Sequence, residues 1–153
     1  MPDYVIQQST WDFLKRLSRN NNRDWFAANK LRYQEAQANA VGFFEALIDT
    51  MNTHDRLEPI PGKKALYRIY NDVRFSNDQT PYNPRFAGRL RRVKPMLRGG
   101  YYLWLKPGAS RIGCGFTYPN PEDLLRIRLD IDRNYSDWKK LLKTKSITKY
   151  FGE

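Results

Sequence analysis

Residues 101–118 read YYLWLKPGASRIGCGFTY and predict a β-hairpin. Its strands, Tyr101–Lys106 and Arg111–Tyr118, are separated by Pro107-Gly108, a pair that favours a tight turn. Because Tyr101 to Leu105 place apolar side chains on both faces of the pleat, this strand is predicted to be central and covered on both sides. The hairpin therefore indicates a sheet that helices cover on one face.

Two further strands are predicted before the hairpin, at Ala65–Val73 and Phe86–Val93. They follow a connector with Pro59 and Pro61, after which the period of the apolar residues changes from the helical value of about 3.6 to the strand value of about 2. The sequence therefore predicts a mainly antiparallel sheet of about four or more strands.

Helical patterns flank the predicted strands on both sides. The predicted helices begin at the capping residues Ser9, Asn22, Asn120 and Ser136, and the second segment ends near Thr53 with an interruption near Asn29 or Gly42. This order predicts an α+β fold in which N-terminal helices pack on the sheet and C-terminal helices follow it. The length of 153 residues predicts a single domain, residues 1–153.

The composition excludes several classes of protein. Hydrophobic residues make up 41% and aromatic residues 14% of the chain, which is enough for a packed core and argues against disorder. No apolar run has the length of a membrane span and no signal peptide is recognisable at the start, so we expect a cytoplasmic protein without a membrane partner. The single cysteine, Cys114, and the single histidine, His54, leave no disulfide framework and no zinc site, and no metal or cofactor is expected. The tryptophans Trp25, Trp104 and Trp138 are predicted to fill the core.

The positive charge is concentrated in the middle of the chain. The 27 Lys and Arg residues exceed the 16 Asp and Glu residues, for a net charge of +11. Residues 79–121 hold eight of the basic residues and none of the acidic ones. These residues must repel one another, so we expect distant acids or an anionic partner to lie against them. The candidate residues for a nucleic-acid surface are Arg85, Arg89, Arg91, Arg92 and Lys94.

The most unusual polar pattern lies between Arg68 and Arg74. If this segment is extended, one face carries Tyr67, Ile69, Val73 and Phe75, and the other carries Arg68, Tyr70, Asp72 and Arg74. Alternate residues lie about 6.6 Å apart along a strand, so the polar side chains can act on one ligand. Guanidinium groups match phosphate or carboxylate, and Asp72 between two arginines would stay ionised and orient them. The alternative is a salt-bridge ladder that only fixes the register of the strands.

The polar loop that follows can bring further groups beside this face. The predicted ligand-binding residues are therefore Arg68, Tyr70, Asp72, Arg74, Asp78 and Tyr82. Asp78 and Tyr82 are the candidates for a general acid or base, and each would need a strongly shifted pKa. The sequence leaves open whether the chain catalyses a reaction.

The same segment resembles the signature of a bacterial and fungal family known as a domain of unknown function. That signature runs Arg-x-x-Arg-Asp-x-Arg-Phe, then Asp/Asn-Lys and Tyr, and here its positions are Arg68, Asn71, Asp72, Arg74, Phe75, Asp78, Gln79 and Tyr82. Two other stretches are similar to members of the family: Trp25, Phe26, Asn29, Lys30 and Tyr33, and the strand Gly100 to Leu103. The resemblance spans most of the chain and implies a shared fold, but no activity.

Two positions depart from the family signature. Asn71 and Gln79 stand where the signature has Arg and Lys, so two positive charges are absent from the predicted site. Either the ligand is less charged, or the basic Arg85–Arg92 segment replaces the charge, or the activity has lapsed. Similar members continue beyond the position of Phe151, so the resemblance implies a chain that is shortened at its C-terminus.

Three functions remain open from the sequence. The first is binding of, or action on, a small phosphorylated or carboxylated molecule at Arg68 and Arg74. The second is nucleic-acid binding at the basic segment, where Tyr101 or Tyr102 could stack on bases. The third is an interaction domain for an acidic protein. Convergence of the arginines in one hollow favours the first function, whereas dispersal over an open surface favours the second.

Overall fold

A computed structural model describes residues 4–74, 77–95 and 98–152. The chain divides into two compact units, an N-terminal unit, Met1–Gly115, and a C-terminal unit, Phe116–Glu153. The elements of the N-terminal unit are α1 (Gln8–Arg19), α2 (Arg23–Ala28), α3 (Lys30–Met51), α4 (Gly62–Ala65), β1 (Phe86–Arg91), β2 (Gly100–Leu105) and β3 (Arg111–Gly115). Those of the C-terminal unit are α5 (Pro121–Arg133), α6 (Tyr135–Leu142) and α7 (Lys145–Phe151).

The first three helices follow the sequence pattern closely. The side chain of Asn22 caps α2 by accepting a hydrogen bond from the Trp25 amide at 2.9 Å, as predicted. The break between α2 and α3 falls at Asn29, one of the two predicted positions. The predicted cap at Ser9 is wrong: α1 begins at Gln8 with Gln7 at the capping position, so Ser9 lies in the first turn of the helix, past the position from which a side chain caps it.

The described residues form an antiparallel sheet of three strands in the order β1-β2-β3. β2 is central, as predicted. At the hairpin turn the Ala109 amide donates to the Lys106 carbonyl at 3.0 Å, and Gly108 takes a positive φ of 72° that glycine adopts at no steric cost. The α+β class is therefore confirmed, whereas the prediction of four or more strands is wrong.

The missing strand is the predicted Ala65–Val73. Its first residue ends the short helix α4, and the rest pairs only through two isolated bridges. One bridge joins Leu66 to Gly88 and the other joins Tyr70 to Tyr82. This segment is therefore an extended connection beside β1 and not a strand with a continuous ladder.

The pairing is interrupted in the partner segment, between Tyr82 and Gly88. The Arg85 amide donates to the Asn83 carbonyl at 2.8 Å in a tight turn, and Pro84 has no amide hydrogen to donate. The turn shifts the register between the two bridges. The predicted alternation also fails, because Ile69 is 1% exposed whereas Tyr67, assigned to the same face, is 48% exposed.

The core of the N-terminal unit lies between the helices and one face of the sheet. α1 and α3 pack together, and α3 also contacts β1. The largest fully buried hydrophobic side chains are Leu14, Leu17, Phe44, Ile69 and Phe86. On the other face of the sheet, the β2 side chains Tyr102 and Trp104 are only partly buried.

The C-terminal unit consists of three helices. Asn120 caps α5 by accepting from the Asp123 amide at 2.8 Å, as predicted. The Trp138 indole donates to Asp130 at 2.9 Å and links α6 to α5. The predicted cap at Ser136 is wrong, because α6 begins one residue earlier at Tyr135 and Asn134 precedes it.

Candidate functional site

Main-chain hydrogen bonds close the polar loop that follows Ile69. The Asn71 amide donates to the Pro81 carbonyl at 2.9 Å, and the Asn83 amide donates to the Ile69 carbonyl at 2.7 Å. The side-chain amide of Asn71 donates to the Thr80 carbonyl at 2.8 Å. Asn71 therefore holds the two ends of this loop together.

An ion pair dominates the predicted anion site. Arg74 binds Asp72 through two hydrogen bonds, from Nε to Oδ1 at 2.9 Å and from Nη2 to Oδ2 at 2.7 Å. These bonds, together with the charge of Arg68, hold the pKa of Asp72 below its ordinary value. The side chains of Arg74 and Asp72 are 75% and 61% exposed, so the pair lies on open surface. Phe75, the next residue of the predicted pattern, lies outside the described residues.

The two predicted tyrosines belong to an aromatic cluster. Tyr82 is only 6% exposed, and its ring stacks on Phe26 with centroids 3.9 Å apart. Tyr70 lies 5.4 Å from Tyr82, and Tyr33 lies 5.0 Å from Phe26. The side chain of Asn21 holds the backbone of Tyr82 in place through two hydrogen bonds. The structure therefore brings the segment around Phe26 against the segment around Tyr82, a proximity that the sequence interpretation did not include.

The pKa shifts of both candidate acids or bases are directed away from neutrality. Burial and the neighbouring Tyr70 raise the pKa of Tyr82, although the charge of Arg23 acts in the opposite direction. Asp78 accepts hydrogen bonds from Thr80, and these bonds lower its pKa. A general acid or base works best when its pKa lies near the operating pH. The two shifts take the pKa of Asp78 and that of Tyr82 further from neutral pH.

A second group of residues, made of aromatic side chains and arginines, lies on the sheet face opposite the core. Leu103 and Leu105 of β2 are buried in the core, so the alternate residues Tyr102 and Trp104 lie on the other face. The register places Arg89 of β1 opposite Tyr102. The rings of Tyr102 and Trp104 are 5.8 Å apart, and Tyr67 lies 6.0 Å from Tyr102. Three aromatic rings therefore form a continuous row.

Arginines surround this row. The guanidinium carbon of Arg85 lies 4.4 Å from the centre of the Trp104 ring, and that of Arg111 lies 5.7 Å from it. Arg91, two residues after Arg89, occupies the same face of β1 and is exposed. Asp and Glu are absent from all three strands. We call this surface the arginine–aromatic face; it consists of Tyr67, Arg85, Arg89, Arg91, Tyr102, Trp104 and Arg111.

Two predicted nucleic-acid contacts point away from this face, and a third lies beyond the end of its strand. Arg92 turns to Asp55, with its Nε 3.1 Å from Oδ1, because the strand alternation reverses its direction relative to Arg91. Tyr101 also points to Asp55 and donates its hydroxyl to Oδ2 at 2.6 Å, so Tyr102 is the tyrosine of β2 on the arginine–aromatic face. Lys94 lies beyond the end of β1 in a turn and is exposed.

Trp104 and Arg111 are site residues that the sequence interpretation missed. The sequence predicts Trp104 in the core, but this residue lies on the opposite face of β2 and is only partly buried. Its indole nitrogen is buried without a hydrogen-bond partner in the described part of the chain. The spacing of two residues between Tyr102 and Trp104 was the available signal, because it places both rings on the same side of a strand.

Two negative findings apply to the described residues, 4–74, 77–95 and 98–152. Among them, no three His, Cys, Asp or Glu side chains come together in a way that could hold a metal ion. None of their helices combines the length and the apolar character needed to cross a membrane.

The fold and the two surfaces define a basic α+β protein with an arginine-rich sheet face. Residues 9–153 match the family described as conserved hypothetical protein (DUF2461), and the chain belongs to this family. No curated protein and no solved structure matches the chain.

Proposed function

We propose that the chain binds single-stranded nucleic acid on its arginine–aromatic face. The observation that carries this proposal is the pair Tyr102 and Trp104, whose rings lie side by side on the central strand with Arg89 opposite one of them and Arg111 opposite the other. Both rings are partly exposed; aromatic rings on a sheet face provide stacking platforms for bases, and arginines beside them neutralise phosphates.

Single-stranded partners suit this geometry better than a duplex. An aromatic ring on a sheet can stack only on a base that is not already stacked between its neighbours. Such unstacked bases occur in single strands, loops and ends. Arg85 and Arg111 against the Trp104 ring add cations that can stack on a base or contact a phosphate.

The proposal can be tested by fluorescence anisotropy with a labelled dodecamer of deoxythymidine or uridine. If the arginines of this face contact four phosphates, a roughly fourfold rise in salt concentration should weaken binding about 50-fold. Tyr102→Ala should weaken binding by about tenfold to a hundredfold, because it removes one stacking platform. Tyr102→Phe should bind almost as tightly as the unmodified chain, because it keeps the ring.

The matched control is Arg19→Gln, since Arg19 is exposed at the end of α1 and far from β1 in the chain. Arg89→Gln should weaken binding far more than Arg19→Gln does. Equal effects of the two changes would mean attraction by net charge alone and would contradict the proposal. Binding of an acidic protein would depend on the arginines and not on the rings, so Tyr102→Ala would leave its affinity unchanged.

As a second candidate, we propose binding of a small phosphorylated or carboxylated molecule at Arg68 and Arg74. The observation that favours it is that the charge of Arg68 acts on Asp72 while Asp72 fixes the guanidinium of Arg74. The Arg74 guanidinium is thereby held in a defined orientation, and Arg68 adds a second positive charge that acts on the same carboxylate. Tyr70, Asp78 and Tyr82 complete this proposed site, in which Tyr70 is the exposed hydroxyl donor.

Titration with pyrophosphate and with citrate, followed by amide NMR, tests the second candidate. Arg68→Gln should abolish the shifts of the loop amides near Asp72, and the same change at Arg23 should leave most of them in place. Shifts that survive Arg68→Gln, or that never appear, would exclude this site.

A further inference from the structure

A cavity of about 220 Å³ opens between α1, α2 and α3. Its floor is apolar, because Phe13 and Ala36 are both buried. Trp25 forms one wall and is partly buried, with its ring 6.1 Å from that of Phe13 and inclined by 29°. The interior therefore suits a small apolar or aromatic group.

The rim of this cavity carries two charges of each sign. Asp12 and Arg16 are four residues apart on α1, and Arg32 and Glu35 are three residues apart on α3, so each pair occupies one face of its helix. Among the residues that the structure describes, none of these four takes part in an ion pair. Asp12 accepts one hydrogen bond from the Gln8 side chain, and Arg32 donates one to Asn29, which leaves further polar atoms of both residues for a ligand.

The balance of charge decides which ligand fits. In a chain of net charge +11, this rim is neutral, since two guanidinium groups are offset by two carboxylates. A simple anion would be repelled by Asp12 and Glu35, and a simple cation by Arg16 and Arg32. A molecule that carries both charges and an apolar group can pair with the charges of the rim and place its apolar group against the floor. The volume is below the ~300–1,000 Å³ of sites for drug-sized ligands, so the molecule must be small.

We propose that this cavity binds an α-amino acid in its zwitterionic form, with an apolar or aromatic side chain. The side chain would lie against Phe13 and Trp25, the carboxylate would bind the arginines of the rim, and the ammonium group would bind its carboxylates. This site shares no residue with the arginine–aromatic face, so its test is independent of the test for nucleic-acid binding.

The test is an NMR titration of the full chain with three probes that differ by one group. L-Phenylalanine carries both charges, phenylacetate lacks the ammonium group, and phenethylamine lacks the carboxylate. We expect L-phenylalanine to shift the Trp25 indole signal and to bind about tenfold more tightly than either analogue, because each analogue leaves two rim charges without a partner. Equal binding of phenylacetate and L-phenylalanine would overturn the proposal, as would the absence of any shift.

Two variants with matched controls complete the test. Arg32→Gln and Glu35→Gln should each weaken the binding of L-phenylalanine about tenfold, because each removes one charge from the rim. Arg19→Gln and Asp49→Asn, which change exposed residues outside the cavity, should leave it unchanged. Equal weakening by rim variants and controls would show that the rim does not recognise the ligand. All four positions are exposed, so the folded state is expected to survive each change.

Discussion

Asp55 organises the residues around it through a network of hydrogen bonds. Its carboxylate accepts hydrogen bonds from the Tyr101 hydroxyl at 2.6 Å, the Arg92 guanidinium at 3.1 Å and the Arg56 amide at 2.8 Å. The side chain is 7% exposed, so these bonds replace water almost completely. They hold the pKa of Asp55 below its ordinary value, with the Tyr101 bond as the largest cause. Asp55 thereby ties the segment after α3 to β2.

This network predicts a dependence of stability on pH. Because the pKa of Asp55 is lower in the folded state, its contribution is complete above the unfolded value of about 3.9 and is lost as the pH falls through the folded value. Asp55→Asn should lower the urea midpoint at pH 7 and reduce the further loss of stability on acidification.

The control for this prediction is Asp49→Asn, on an exposed position of α3. It should leave both the midpoint at pH 7 and the acid sensitivity close to those of the unmodified chain. Tyr101→Phe should behave like a milder form of Asp55→Asn, because it removes only one donor. An Asp55→Asn variant with the acid sensitivity of the unmodified chain would contradict this account.

At the scale of elements, the contact of α3 and α4 with β1 depends on a single glycine. A Cβ atom added at Gly88 would lie 2.6 Å from the Ala65 carbonyl oxygen and still closer to the ring of Phe44. The backbone of β1 can approach the helices only because this position has no side chain. Gly88 also forms the bridge to Leu66, so the same residue fixes the connection between α4 and the sheet.

Gly88→Ala should therefore destabilise the fold by about 1–3 kcal/mol, the usual cost of forcing extra volume into a packed region. Chemical denaturation measures this change directly. Gly113→Ala in β3 is the matched control, because a Cβ there would meet no atom within 4 Å. A loss at Gly113 equal to that at Gly88 would show that strand propensity, and not the close approach, determines the effect.

The two candidate surfaces belong to different kinds of element. The segment from Arg68 to Arg74 lies in an extended connection whose pairing is interrupted at Pro84, and its ion pair is exposed to water. Tyr102 and Trp104 lie on a central strand that pairs on both sides along its length. Regular pairing fixes the spacing of side chains, so the geometry of the arginine–aromatic face is the better defined of the two.

At the scale of the whole molecule, the charge of the chain is divided unevenly. The eight basic residues between positions 79 and 121 include all four arginines of the arginine–aromatic face. Because strand alternation separates Arg91 from Arg92, one part of the basic segment lies on the open face and another part is neutralised by Asp55. The net charge of the segment therefore overstates the charge that the face can offer to a partner.

Most of the helices and the hairpin could be predicted from the sequence, because their signals are local. The Asn22 cap, the turn at Pro107-Gly108 and the apolar period of α3 each depend on residues that are close in the chain. The sequence also located the positive charge, since counting residues needs no coordinates. The predicted strand Ala65–Val73 failed because its pairing depends on a distant turn at Asn83.

Which side chains share a surface depends on how the elements pack, and this grouping is visible in the folded structure. Trp104 with Arg85, Tyr82 with Phe26, and Arg92 with Asp55 are all contacts between segments distant in sequence. Their formation depends on register and helix packing, and a local pattern carries no information on either. The candidate sites follow from these distant contacts, so their residue types could be identified from the sequence, but their grouping could not.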